Sequence, residues 1–452
     1  MIAPARTAAL HALRAVAASR ADLPSALAHS RQHLSDERDR ALTAEIVTGT
    51  LRWQRSLDHL IEHFAKRPLD KVDRDVLTIL RLSLYQLLHL DRVPASAVVD
   101  DAVNLSRAAK RAGATGFVNA VLRSTLRQRH KLPLPERPQD PADRAAALAY
   151  LGITHSHPDW LVARWLDRHG FDAAERWVRF NNETPRLTLR TNRLRTTRDA
   201  VARVLADDEI ETEIARFAPD GLVVTSGNPL RRHADGSFFV QDEASQLVSL
   251  AVAARPGERV LDVCASPGGK ATAMAADMDD TGVLVACDVR GRRVSLLRET
   301  VRASGARHVH LTHLDTTGPL PFAPVFDRVL VDAPCSGLGT IRRDPDIRWR
   351  RSEADLPALA RDQAALLHRA ADVVTPGGRL VYATCSSEPE ENDAVIDAFL
   401  AARPEFEPID LHQDAVPALS EVIDEKGMLR TLPFTHGLEA FFAAALRRRT
   451  TN

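Results

Sequence analysis

The chain is sparing with cysteine: four among 452 residues, Cys264, Cys287, Cys335 and Cys385. None forms a CxxC pair, which excludes a zinc site of the common kind and a disulfide framework. Such usage points to a reducing, cytoplasmic compartment. Long apolar runs are also missing. No stretch approaches the roughly 18 consecutive apolar residues of a membrane span. Arg6, His11, Arg14 and Arg20 interrupt the start of the chain, so no signal peptide is expected. Internal repeats are absent. What is present is ordinary for a globular protein, with 44% hydrophobic and 27% charged residues. This excludes collagen-like and wholly disordered chains. The length suggests about three domains.

Net charge is zero but unevenly spread. Residues 1–140 carry 22 basic against 15 acidic residues, and residues 236–452 carry 24 against 31. A basic front end is suited to a polyanion, although a solvated surface gives the same count. Residues 1–135 read as successive helices. In Asp73–Leu90, the residues Val76, Leu77, Leu80, Leu84, Leu87 and Leu88 recur at helical steps. Ser96 is a candidate N-cap for a helix from Ala97 to about Lys110. A further helix from Phe117 to His130 aligns Arg123, Arg127 and His130 on one face. With Arg107, Lys110 and Arg111, these form the densest basic region, able to contact phosphates or simply to be exposed.

Leu132–Pro141 (LPLPERPQDP) holds four prolines and reads as a stiff linker. Residues 142–235 look like a small α+β module. Its expected elements are a helix over Trp160–Phe180, a strand over Arg186–Asn192, a helix over Thr197–Ala206 and a strand over Gly221–Thr225. From 236 to 452 the rhythm becomes strand, helix, strand. The expected strands are Arg259–Cys264, Val283–Cys287, His308–Leu311, Asp327–Val331 and Arg379–Thr384. That alternation predicts a parallel, doubly wound α/β sheet, with ligands beyond the carboxyl ends of its strands.

The chemistry-bearing residues sit at those ends. Asp262–Lys270 (DVCASPGGK) is a strand, a Gly-rich loop and a helix start. Adjacent glycines let a ligand approach the backbone, and the helix N-terminus offers free N–H groups. A P-loop would need Gly at Cys264 and Ser or Thr at Ala271, so that reading fails. The dinucleotide pattern fails as well. What remains is a loop shaped for an adenosyl ligand with a carboxylate tail, or a plain tight turn. Asp288 ends the next strand, where an acid can accept hydrogen bonds from ribose hydroxyls. Asp315 follows the third strand, within reach of an adenine amino group. Either acid alone is as often a cap. The fourth strand ends in DAPCSG (Asp332–Gly337) and the fifth in ATCSSEPEEN (Ala383–Asn392). Two cysteines, Cys335 and Cys385, therefore stand at one sheet edge with Asp332. Single cysteines are usually small buried hydrophobes, but a pair beside an acid suggests a thiolate nucleophile.

Asp262–Lys270, Asp332–Gly337 and Ala383–Asn392 together resemble the RNA cytosine-5 methyltransferases that use S-adenosylmethionine. More closely, nearly the whole chain resembles the RsmB (Sun/Fmu) family, which methylates a cytosine of bacterial small-subunit (16S) rRNA. Gly49–Trp53 (GTLRW), Phe117–Arg123 (FVNAVLR), Phe239–Gln246 (FVQDEASQ) and Ile341–Trp349 (IRRDPDIRW) support the resemblance. Ser266 stands where that family usually has Ala. The resemblance implies an all-α NusB-like RNA-binding domain, the small α+β module and a Rossmann-like methyltransferase domain. It implies that Cys264, Ala265, Ser266, Pro267, Gly268, Gly269 and Lys270 form the cofactor loop. It further implies that Asp288 binds ribose, Asp315 the adenine end, and Asp332 the cytosine edge beside the cofactor. Cys385 would be the nucleophile and Cys335 the cysteine that assists release. The expected partner is 16S rRNA or a small-subunit assembly intermediate, with no DNA, no membrane, no metal and a monomeric chain. Arg342, Arg343, Trp349, Arg190 and Asn192 are candidate RNA contacts, with surface roles equally open for Arg190 and Asn192. Competing readings are a cytosine-5 methyltransferase of transfer or large-subunit RNA, a non-catalytic antitermination-like RNA binder, and a small-molecule methyltransferase.

Overall fold

The computed structural model describes residues 2–230, 235–414 and 417–450. The chain forms two compact units. One comprises Met1–Thr184 with a returning segment, Ile341–Glu353. The other comprises Pro185–Thr340 and Ala354–Asn452.

The first unit is helical. Its helices include Pro4–Ala17, Leu23–Gln32, Glu37–Arg52, Gln54–Ala65, Arg74–His89, Ala95–Ala108 and Thr115–Arg127. Asp73 starts the fifth by accepting from the N–H groups of Asp75 and Val76. Val76, Leu80 and Leu84 of that helix are buried, and Leu77, Leu87 and Leu88 pack against the same core. Each fully buried side chain of this size contributes about 1.5–3 kcal/mol. Ser96 is not a cap: the helix begins at Ala95, and Pro94 supplies the entry with its fixed φ. His130 also leaves the expected basic face, because the helix stops at Arg127. Arg123 and Arg127 are exposed there, bonded to Asn119 and Ser124 of their own helix. Beyond the linker, Asp159–Asn182 is broken at Gly170, whose φ of +76° no helix accommodates. On either side of the break, Trp165 and Trp177 stack at 4.7 Å, fully buried.

The segment Ile341–Glu353 ties this unit together. Leu23 N–H donates to Asp346 at 3.1 Å. Arg348 is fully buried and donates to the carbonyls of Arg52, Ser156 and Asn181 and to Asn182 Oδ1. Burial, then the neighbouring Arg52, holds its guanidinium well below the usual arginine range. Arg52 returns a bond to the Arg342 carbonyl at 3.1 Å. Trp349 donates its indole N–H to Leu51 O at 2.6 Å. The GTLRW and IRRDPDIRW stretches, almost 300 positions apart in sequence, are thus one packed structure.

The second unit carries two sheets. The small antiparallel one contains β1 (Thr188–Thr191), β2 (Glu211–Ile214), β3 (Gly221–Ser226) and β4 (Phe238–Val240), in the order β2-β3-β1-β4. Helix Arg198–Asp207, capped by Thr197, covers it. The large sheet contains β5 (Arg259–Asp262), β6 (Val283–Asp288), β7 (Val309–His313), β8 (Phe326–Asp332), β9 (Val374–Thr384), β10 (Phe406–Ile409), β11 (Leu429–Arg430) and β12 (Phe442–Arg448). Its order is β10-β12-β9-β8-β5-β6-β7, with β11 beside β12. The stretch from β9 to β7 is parallel. The expectation of a wholly parallel sheet needs correction: β12 pairs antiparallel with β9 and β10. Its sequence, FAAALRR, has no β-branched residue and so carries little strand signal. Both faces of the sheet are covered, as alternation requires. Val260, Leu330 and Val381 face a core shared with helices Glu243–Val252, Gly269–Asp277 and Gly291–Ser304. Leu261, Val331 and Tyr382 face one shared with Leu356–Ala371 and Asp393–Ala402.

Arg348→Ala strips the hub of its donor and leaves buried carbonyls unpaired. A loss of about 3 kcal/mol is expected, read as a lower urea midpoint for the helical unit. An unchanged midpoint would show that the hub does not hold the segment.

Candidate active site

The spatial order β9-β8-β5-β6-β7 sets five strand ends in a row along one edge of the sheet. Cys385 follows β9, Asp332 ends β8, the Cys264–Lys270 loop follows β5, Asp288 ends β6, and Asp315 lies past β7. The sequence-predicted residues therefore share one edge, and Asp332 contacts Lys270 of the neighbouring loop directly.

Helix Gly269–Asp277 starts from Gly268, whose φ is +111°. A Cβ on Gly268 would lie 2.9 Å from Leu297 Cδ1 and 3.1 Å from Thr300, so the loop requires glycine. Behind it stands Arg190 of β1. Arg190 donates to Gln241 Oε1 at 2.6 Å and to Thr272 Oγ1 at 2.7 Å, and Thr272 donates to the Gly268 carbonyl. Burial pulls this guanidinium down to about 10. Arg190 is thus an internal brace of the loop and no surface RNA contact. Asn192 is equally buried and donates to the carbonyls of Gly236 and Ser304. Trp349 is likewise no free stacking platform, since its indole is bonded within the helical core. Arg342 lies 3.9 Å over the Phe180 ring.

At the centre, Lys270 Nζ meets Asp332 Oδ2 at 2.7 Å. Burial works against the lysine charge, but Asp332 outweighs it and holds the ammonium above its usual range. Asp262 ends β5, fully buried, and no side chain hydrogen-bonds its carboxylate, which only the Cys264 N–H approaches. Burial, then the Asp332 charge, pushes its carboxyl up to about 7. Asp288 is buried and accepts from Arg290 N–H at 3.1 Å. Asp315 is exposed and accepts from the Thr317 N–H and hydroxyl, which hold its carboxyl below the ordinary range. Cys264 is half-buried beside Asp262, and burial first, then that acid, drives its thiol far up.

Cys335 Sγ and Cys385 Sγ are 3.1 Å apart, each partly exposed. The bond to Cys385, then burial, holds the Cys335 thiol well above its ordinary range, and the Glu391 carboxylate adds to this. Glu391, Gln363, Ser336 and Ser386 surround the two sulfur-bearing loops. Sequence reasoning gave them no role, although Glu391 and Ser386 lie inside the quoted ATCSSEPEEN motif. Buried acids in a strand-end loop were the available signal. Among the described residues, no cluster of side chains is suited to a metal.

The residues present fit S-adenosylmethionine. The first turn of Gly269–Asp277 turns N–H groups toward the loop mouth, where a carboxylate is favoured. Asp288 is an acceptor at the second strand end. This fold and row of acids define the class: an S-adenosylmethionine-dependent methyltransferase. A family model described as 16S rRNA methyltransferase RsmB/F matches residues 249–447. The NusB family matches 3–127, and a ferredoxin-like domain of RsmF/B-like methyltransferases matches 157–231. The probable ribosomal RNA small subunit methyltransferase B of Bacillus subtilis is 36% identical over 420 residues, 92% of each chain. The ribosomal RNA small subunit methyltransferase B of Pseudomonas putida is 37% identical over 91% of this chain and 92% of its own. The crystal structure of PH0851 superposes with a TM-score of 0.80 at 26% identity, over 99% of both chains. The chain belongs to the RsmB/F family of rRNA methyltransferases, with an RNA substrate.

Asp262 gives a pH signature. Its folded carboxyl titrates near 7, above the unfolded value of about 3.9. The stability it contributes is therefore complete below the unfolded value and is lost as pH rises through the folded one. Asp262→Asn should gain on wild type between about pH 4 and pH 7, by at most roughly 4 kcal/mol. Urea midpoints measured without cofactor at pH 5 and pH 8 check this. A difference that does not change with pH would refute it.

Proposed function

We propose that the protein methylates carbon 5 of a cytosine in 16S rRNA through a covalent adduct between Cys385 and the base. The carrying observation is the 3.1 Å separation of Cys335 and Cys385 at the edge that also holds the Lys270–Asp332 pair. S-adenosylmethionine supplies an electrophilic methyl group on a sulfonium. Carbon 5 of cytosine is too weak a nucleophile to accept it unaided. Cys385, as thiolate, adds to carbon 6 and gives the ring enamine character. Cys335 is the partner 3.1 Å from that sulfur, placed to share a proton with it. Its S–H stabilises the Cys385 sulfur before attack and again on departure. Asp332, fixed by Lys270, accepts from the exocyclic amino group and orients the ring. Carbon 5 takes the methyl group as its bond to the sulfonium sulfur breaks, leaving a neutral thioether; water accepts the carbon 5 proton as the Cys385 thiolate is expelled, which restores aromaticity. The target base must be unstacked to reach the sulfur, which is cheapest in a loop or a partly assembled subunit.

On this reading, the Cys264–Lys270 loop seats the carboxylate end of the cofactor, Asp288 its ribose and Asp315 its adenine. The exposed helix ending at Arg127, with Arg107 and Lys110 before it, gives sequence-independent phosphate contacts.

The test is transfer of labelled methyl from S-adenosylmethionine to unmodified total RNA. Wild type should label cytosine in 16S rRNA. Cys385→Ala should lose all transfer, and Cys335→Ala should leave a denaturation-resistant protein–RNA adduct. An adduct from Cys385→Ala would reverse the two roles. Label only in transfer or large-subunit RNA would change the substrate.

A further inference from the structure

We infer that Glu391 is a positioning residue that sets the spacing of the two cysteines, and through it the release step. This rests on the cysteine roles proposed above.

The geometry is specific. Glu391 is fully buried. One carboxylate oxygen, Oε1, accepts from Ser336 N–H at 2.8 Å and from Gln363 Nε2 at 2.8 Å. The other, Oε2, accepts from Ser336 Oγ and Ser386 Oγ. Ser336 directly follows Cys335 and Ser386 directly follows Cys385, so a single carboxylate grips the residue after each sulfur. The two serine hydroxyls also meet at 3.1 Å. The grip is itself held. Tyr382 donates to the Glu391 carbonyl at 2.6 Å, and Gln363 also donates to the Pro334 carbonyl at 3.0 Å. From the opposite side, Gly339 N–H donates to the Cys385 carbonyl at 3.0 Å. A Cβ at Gly339 would lie 1.9 Å from the Ala440 carbonyl, so this second tie also has no room to shift.

An anionic acceptor with four donors is strong and directional. Its placement has a chemical consequence. The Glu391 carboxylate holds both sulfur-bearing loops at once, and the same contact thus fixes the distance between the sulfurs. Methyl transfer needs only one sulfur on the base, whereas release needs both sulfurs at their native spacing. Loosening the grip should therefore act on kcat.

The experiment compares wild type, Glu391→Gln and Glu391→Ala in the full-length enzyme. The first readout needs no RNA. Diamide, an azo oxidant, closes a Cys335–Cys385 disulfide: two S–H bonds break, one S–S bond forms, and the N=N bond takes up the two electrons and two protons. Closure should be fast in wild type and about tenfold or more slower in Glu391→Ala, since loop misplacement of 1 Å is felt strongly in such proximity reactions. The second readout is methylation of 16S rRNA. Both variants should lose up to about a hundredfold in kcat, with KM for RNA and cofactor nearly unchanged, and should accumulate the covalent adduct. Folded variants with wild-type closure and wild-type kcat overturn the inference. Lost kcat with unchanged closure also overturns it, because Glu391 then acts elsewhere. Unfolding of even the isosteric Glu391→Gln assigns the residue to stability and overturns it too. Slowed closure in an enzyme whose wild type methylates no RNA upholds the spacing role while removing the function it was tied to.

Discussion

Everything at the site depends on the register of one parallel run, β9-β8-β5-β6-β7. Parallel pairing points all five strands the same way, so their last residues form one line. The pairs Asp332 with Ala383 and Asp262 with Leu330 bring three loops to the same level. The loops after β9 and β8 bring Cys385 and Cys335 into contact, and the loop after β5 brings Lys270 to Asp332. A slip of one residue in any of these pairings would turn every side chain to the opposite face. The two hydrophobic cores, one on each face, prevent that slip.

The electrostatics of the edge follow from this crowding. Asp262, Asp288 and Asp332 converge where a single buried lysine is available. Lys270 is bonded to Asp332, and no side chain hydrogen-bonds Asp262.

The small sheet and the returning segment show how distant sequence supports the two units. Arg190 and Asn192 read as polar strand residues open to solvent. In the fold they are buried, one bracing the Gly-rich loop and the other tying two carbonyls. Ile341–Glu353 follows directly on the Cys335 loop in sequence yet belongs to the helical unit.

The sequence by itself determined the helical periodicity, the strand–helix alternation and the residue types at the strand ends. Those depend on neighbours a few positions apart, which a pattern such as DVCASPGGK or ATCSSEPEEN displays directly. Helix ends were read to within a few residues, failing at Ser96 and His130, where Pro94 and the end of the helix at Arg127 decided otherwise. The antiparallel β12 stayed hidden because FAAAL has no strand-specific residues. Only the tertiary structure decided which polar residues are internal braces, that Glu391 grips both cysteine loops, and that GTLRW meets IRRDPDIRW. These are contacts across tens to hundreds of positions, made by burial and hydrogen-bond satisfaction, and no local pattern encodes them.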